Sequence, residues 1–305
     1  MMEDFYNTVH KPVMLQEVVD AMRVPFDAAA RPAVLIDCTL GGGGHADAFL
    51  KALPGHRVVA IDRDEAAIKA AELRFAGEIK AGRLTLVHGG FGGIAELAVG
   101  PVLGIFADLG FSSDQMDDPG RGLSFNSEAF PDMRLDRSRG QTCFDLLQTT
   151  SEAGLEKIFR EYGEERYSRR IAANIMQAKR EKRLPKTSKG LAELIAFSSP
   201  AAGRRGHGRL HPATRAFQAL RIAVNNELAE LDKLLEDGMM LLEGGGRMGV
   251  ISFHSLEDRR VKTAFRKFQP LFKKPRLPGE RELGDNPRSR SAKLRVAVKP
   301  PESAP

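Results

Sequence analysis

The chain has 305 residues, 42% of them hydrophobic, with 46 Lys and Arg against 40 Asp and Glu for a formal net charge of +6. That length and composition support a sizeable core in one large domain or two ordinary ones, and exclude a disordered or fibrous chain. Two cysteines, Cys38 and Cys143, lie far apart and in no metal-type spacing, which argues against a disulfide framework or a zinc ribbon and fits a reducing, cytoplasmic setting.

In chain order, the N-terminal stretch MMEDFYNTVHKPVMLQEVV carries acidic residues and no apolar core of a signal segment. No uncharged stretch reaches membrane-spanning length, so neither secretion nor membrane insertion is expected. Apolar runs rich in β-branched residues follow at 33–40, 57–62, 83–88, 102–108 and 247–253. The first four are separated by loops and by helical stretches such as 63–76, the pattern of a parallel sheet with crossover helices. From 112 to 216 no comparable strand occurs, and Tyr167, Ile171, Ile175 and Ala178 recur at helical spacing beneath a basic face. One long amphipathic helix is expected over TRAFQALRIAVNNELAELDKLLEDGMMLL, with the glycines at 244–246 turning it into the strand at 247–253. Ser255 and Asp258 are expected to cap a helix after that strand. The stretch 270–292 reads as a loop, and 293–299 as an edge strand. The expected fold is α/β: a doubly wound sheet formed by 1–111 and 217–305, with an inserted, mostly helical domain at 112–216 assigned to substrate recognition.

The charge is segregated. Residues 156–210 hold 14 basic against 6 acidic residues, and residues 255–299 hold 14 against 5, leaving the remainder at 6 − 8 − 9 = −11. Such segregation is suited to a polyanionic partner, because phosphate contacts supply most non-specific nucleic-acid affinity.

The stretch IDCTLGGGGHADAFL, at 36–50, places a glycine run between an apolar strand and a helix. A strand, a glycine loop and a helix form the element that lets a nucleotide-like ligand approach the backbone at the carboxyl end of a sheet. Asp62 ends the next strand, placed to accept hydrogen bonds from ribose hydroxyls. Dinucleotides and S-adenosylmethionine (SAM) both use this pair of features. The run Gly41–Gly44 lacks the third glycine of the dinucleotide register, and Asp37 suits a sulfonium and an ammonium better than a phosphate, which favours SAM. Asp108 ends the fourth strand, and the order Asp108, Leu109, Gly110, Phe111 echoes the Asp-Pro-Pro-Tyr loop of enzymes that methylate exocyclic amines of bases.

Nine motifs taken together, among them HKPVMLQEVV at 10–19, DCTLGGGGHADAFL at 37–50, DLGFSSDQMDDPGRGLSF at 108–125, HPATRAFQALRIAVNNEL at 211–228, VISFHSLEDRRVK at 250–262 and NPRSRSAKLR at 286–295, resemble the family of bacterial ribosomal RNA small subunit methyltransferase H. Phe111 and Asp114 depart from the family's usual residues. The resemblance implies SAM-dependent methylation at N4 of one cytidine in the decoding region of 16S rRNA. It also implies SAM contacts at Gly43, Gly44, His45, Asp62, Phe91, Asp108 and Gln115.

On chemical grounds Asp108 is the candidate to accept the N–H bonds of the attacking amine. His45 and His254 are placed as packing or contact residues rather than bases. The cysteines read as small buried residues, and neither lies in the Pro-Cys loop that C5 methylation of cytosine would need. RNA contacts are expected from Arg204, Arg205, Arg209 and Arg215, and from Arg259, Arg260, Arg288, Arg290 and Lys293. Aromatics are sparse at 7%, so a structured RNA or ribonucleoprotein surface, read by shape and charge, is expected rather than a single strand, and the resemblance implies that this partner is 16S rRNA within the small ribosomal subunit.

Overall fold

The computed structural model describes residues 12–97, 99–111, 115, 116, 118–198 and 211–301. The chain divides into two compact units, 1–112 with 228–305 and 113–227. The first is built on one seven-stranded sheet: β1 (Val34–Asp37), β2 (Arg57–Asp62), β3 (Leu84–His88), β4 (Val102–Asp108), β5 (Leu242–Ser252), β6 (Gln269–Pro270) and β7 (Lys293–Val298). Their spatial order is β3-β2-β1-β4-β5-β7-β6. The first five strands are mutually parallel, β7 runs antiparallel to β5, and β6 antiparallel to β7. This is a Rossmann-like, doubly wound sheet whose strand order reverses between β1 and β4.

Both faces of the sheet are covered, which is why β1 reads as an unbroken apolar run ending in one aspartate. Leu35, Ala60, Phe106 and Ile251 pack on one face with α1 (Leu15–Asp27), α2 (Gly44–Ala52) and α3 (Glu65–Arg74). Ile36, Ile61, Ile105 and Val250 pack on the other, against Leu231, Leu234 and Val261 of the helices Glu227–Leu241 and Ser255–Phe265. Among the described residues no helix is long and apolar enough to cross a membrane.

The described residues of the second unit hold the 3-10 helix Pro119–Arg121 and the helices Cys143–Thr149, Glu152–Gly163, Ser168–Arg180, Ser188–Phe197 and Thr214–Asn225, with no strand among them. Local chemistry starts three of them: Thr142 and Asp145 form a reciprocal capping box, Ser151 caps Glu152–Gly163 and Thr187 caps Ser188–Phe197. Ile171, Ala172, Ile175 and Ala178 form the buried stripe of Ser168–Arg180, as the spacing predicts. Gly163 is required where two helices meet, since a Cβ there would lie 2.7 Å from the Arg215 carbonyl oxygen.

Four expectations are corrected. The long helix is two helices, broken at Asn226, which adopts the left-handed conformation at φ 52°; the first of them lies in the unit 113–227. The glycines at 244–246 lie inside β5, where Gly245, at φ +83°, marks an irregularity in the pairing with β4 rather than a turn. Strand β7 is not an edge, because β6 pairs along its outer side. The stretch 270–292 is laid down on the sheet unit: Arg276 bridges to Leu294, Glu280–Asp285 is helical, and Glu282 Oε1 accepts the Met14 backbone N–H at 2.7 Å.

Candidate active site

The glycine loop runs from the end of β1 to the start of α2 and is held by the end of β2. Asp62 Oδ2 accepts the Gly41 backbone N–H at 2.7 Å, and its Oδ1 accepts the Asp64 backbone N–H at 2.8 Å. Gly41 and Gly43 adopt positive φ, +50° and +77°, and Gly43 is the residue before α2. A Cβ on Gly43 would stand 2.7 Å from the Phe75 ring, and one on Gly44 would stand 2.8 Å from Pro12 Cγ. These two glycines are therefore demanded by the chain's own packing as well as by any ligand.

Because side chains alternate along a strand, Asp37, Asp62 and Asp108 share the sheet face of Leu35, Ala60 and Phe106. All three stand at the carboxyl ends of neighbouring strands. Asp37 is fully buried; its Oδ1 accepts the Thr39 backbone N–H at 3.1 Å and its Oδ2 has no hydrogen-bond partner. Asp108 is fixed through its backbone N–H, which donates to Thr39 Oγ1 at 2.7 Å, while its Oδ1 is likewise buried and unpartnered.

Burial pushes the Asp37 carboxyl up to about 7, offset in part by the Thr39 amide and reinforced by neighbouring Asp62. Burial raises Asp108 well above the usual carboxylate range, with Asp37, Glu257 and Glu282 adding to it. Asp62 is raised by burial against the pull of its two amide donors. Unmet acceptors in a buried site ask for donors or positive charge from a ligand.

At the end of β5 the structure departs from the expected cap. His254, not Ser255, precedes the helix Ser255–Phe265, and its Nδ1 accepts the Glu257 backbone N–H at 3.4 Å. Glu257 reciprocates, its Oε2 accepting the backbone N–H groups of Phe253 at 2.8 Å and His254 at 3.3 Å. Asp258 instead pairs with Arg295 at 2.8 Å and Lys293 at 3.6 Å. A histidine cap has no strong sequence signature, whereas Ser does.

Residues 7–300 match the MraW methylase family. The chain belongs to the MraW methylase family. A relative from Sorangium cellulosum is 46% identical over 94% of this chain and 90% of its own length, and one from Geobacter sp. strain M21 is 44% identical over 98% and 100%. A third, from a Synechococcus strain, is 49% identical over 87% and 86%. Each is named ribosomal RNA small subunit methyltransferase H.

The other residues expected of this MraW-family chain fall as follows. His45, on α2, is buried: its Nε2 donates to the Val13 carbonyl at 3.0 Å, its ring packs on Phe106 at 4.7 Å, and its Nδ1 stands 3.9 Å from Asp108 Oδ2. Phe91 begins a short 3-10 helix after β3 and is buried, with the Arg63 guanidinium 5.5 Å from its ring centre. Gln115 lies in the second unit and is buried.

Sequence reasoning missed Glu230. Its carboxylate accepts the Gly92 backbone N–H at 2.9 Å and lies 3.7 Å from Arg63, and a Cβ on Gly90 or Gly92 would come within 2.5 or 2.8 Å of it. The glycines of HGGFGG thus make room for a carboxylate 138 residues away in sequence, a contact that no local pattern announces.

Of the expected RNA contacts, Arg204, Arg205 and Arg209 lie outside the described residues. Arg215, in the second unit, donates to the Glu164 carbonyl at 3.2 Å. Arg259, Arg288 and Arg290 are exposed, whereas Arg260 pairs with Asp232 at 3.1 Å and Lys293 with Asp258.

Proposed function

We propose that this chain transfers the methyl group of SAM to the exocyclic N4 of a cytidine in the decoding region of 16S rRNA, acting in the cytoplasm on the small ribosomal subunit. The observation that carries the reading is the shared sheet edge: the buried carboxylates of Asp37 and Asp62 and the half-buried one of Asp108, with a screened, unpartnered oxygen on Asp37 and on Asp108, beside a glycine loop, in a chain of the MraW methylase family. That donor set fits SAM, whose sulfonium and ammonium supply the positive charge that Asp37 and Asp108 lack. When bound, SAM supplies an electrophilic methyl group on a good leaving group. Asp62, already locking the Gly41 loop, keeps lone pairs for ribose hydroxyls. Phe91 offers an apolar surface to the adenine, and Gly43 with the start of α2, Gly44 and His45, lines the cofactor's side of the site.

The chain's own contribution to the reaction is positioning and desolvation. Asp108 accepts an N4–H of the cytosine, which keeps the amine's lone pair on nitrogen and stabilises the positive charge developing there. His45 is committed through Nε2 to the Val13 carbonyl, so it walls the site rather than shuttling a proton. Arg259, Arg288 and Arg290 of the C-terminal segment and Arg215, all exposed, hold the RNA backbone together with Arg204, Arg205 and Arg209, and the target nucleotide is turned out of its stack to reach Asp108.

The deciding experiment is methyl transfer from labelled SAM to small subunits and to naked 16S rRNA from a strain lacking this protein, followed by nucleoside mass spectrometry. N4-methylcytidine in the product is the expected result. SAM binding with no transfer to either substrate would sink the enzymatic reading and leave an assembly factor with a SAM site.

A further inference from the structure

Asp108 Oδ1 is not the sole unmet polar atom at this edge. His254 Nε2 is also screened from water and without a hydrogen-bond partner. The two residues stand on adjacent strands: Asp108 pairs with Ile251 of β5, and the Leu109 backbone N–H donates to the Ile251 carbonyl at 3.0 Å, three residues before His254. Glu257, in the first turn beyond His254, is close enough to Asp108 to oppose its ionisation.

The hydrogen on the imidazole is assigned by its surroundings. Nδ1 faces the Glu257 backbone N–H, which can only donate, so the neutral ring carries its proton on Nε2. Glu257 Oε1 lies 3.1 Å from Nε2 but out of hydrogen-bond alignment, its other oxygen being held by the Phe253 and His254 amides. The result is a fixed N–H donor and, one strand away, a carboxylate acceptor, both unsatisfied.

We propose that His254 is a specificity-determining residue that donates its Nε2–H to the ring N3 of the target cytosine while Asp108 accepts an N4–H. This rests on the reading of the chain as a cytidine N4-methyltransferase. A cytosine presents an amino donor beside a ring-nitrogen acceptor, the complement of the Asp108 and His254 pair. Uracil and guanine present a carbonyl beside an N–H, so both contacts fail and buried groups are left unpaired. Adenine shares the cytosine pattern, and this pair does not by itself separate those two. Both protein atoms are screened from water, so the base reaches them only with a local opening of the site.

The test replaces the target nucleotide in 16S rRNA with 3-deazacytidine, which keeps the amine and exchanges N3 for C–H. Its amine is the more nucleophilic, so a loss of rate reports recognition rather than chemistry. For the wild-type enzyme kcat/KM should fall about ten- to a hundredfold on 3-deazacytidine. His254→Asn and His254→Ser both retain a helix cap. They should lose a similar factor on cytidine and no longer distinguish the two nucleotides, with SAM affinity within a few fold of wild type.

Equal rates on both nucleotides for the wild type would overturn the proposal while leaving N4 methylation intact. So would variants that discriminate as strongly as the wild type. Absence of N4-methylcytidine from wild-type reactions on cytidine would overturn the underlying reading and this inference together.

Discussion

The carboxylate of Asp62, at the end of β2, accepts the backbone N–H of Gly41, at 2.7 Å, on the loop that leaves β1. The side chain proposed to hold a ribose is therefore also the anchor of the loop that receives the cofactor. Asp62→Ala should weaken SAM binding and loosen the loop together, because the Gly41 and Asp64 N–H groups both lose a charged acceptor, at about 1.5–3 kcal/mol each. Calorimetric SAM titration should show at least a tenfold loss of affinity, and the melting temperature without SAM should fall. Asp62→Asn, which keeps one acceptor oxygen, should fall between Asp62→Ala and wild type in both measurements. A variant with unchanged melting temperature would separate the two roles.

Asp37 sets a pH dependence with a definite sign. Its carboxyl is raised from 3.8 to about 7 in the folded chain, so between those values the folded state holds a proton that the unfolded state has released. The ligand-free protein should lose stability as pH rises through that window, and the contribution should be flat above it. SAM, a cation, should favour the ionised form. Its affinity should therefore increase with pH up to about 7, by at most about tenfold per pH unit for one proton, with proton release on binding. Asp108, also raised, acts in the same direction. Titrations in buffers of different ionisation enthalpy measure the proton count, and Asp37→Asn should lower it.

The features that were legible in the sequence are those written locally. Strand ends, the glycine run and the carboxylates at Asp37, Asp62 and Asp108 follow from period and punctuation, because a buried parallel strand is an apolar run and its ligand edge is its carboxyl end. Phe91 and Gln115 came only through the family resemblance. Glu230 beneath Gly90 and Gly92, Phe75 behind Gly43, and Glu282 on Met14 were hidden, since each contact joins residues brought together by the crossovers. Asn226 and His254 were hidden for another reason: a left-handed asparagine interrupts a continuous apolar stripe without changing it, and a histidine cap stands next to a serine that is the commoner one.

The glycine loop should fail by misfolding at one position more than at its neighbour. Gly43→Ala puts a side chain at φ +77° and 2.7 Å from the Phe75 ring. The left-handed conformation costs about 1–2 kcal/mol and the crowding about 1–3. Gly44→Ala meets only the Pro12 ring, with no positive φ, and should cost less. Thermal melts of both variants without SAM check the order. Phe75→Leu should recover part of the loss in Gly43→Ala and none of it in Gly44→Ala, which is the readout that assigns the damage to packing rather than to a missing ligand contact.

Two arginines of the C-terminal part, Arg260 and Arg290, should contribute unequally to RNA affinity. Arg290 is exposed in the 3-10 turn Pro287–Ser291, whereas Arg260 is paired with Asp232 at 3.1 Å and its Nη1 also donates to the Leu256 carbonyl at 3.3 Å. A cation already balanced by a carboxylate releases fewer counterions when it meets a phosphate. Arg290→Ala should therefore reduce the slope of log affinity against log salt by about one, the loss expected for one phosphate contact, and Arg260→Ala by less. Binding of each variant to small subunits across a salt series gives both slopes. Asp232→Ala supplies the reciprocal arm: freeing Arg260 should steepen the slope, and an unchanged slope would show that Arg260 does not face the RNA.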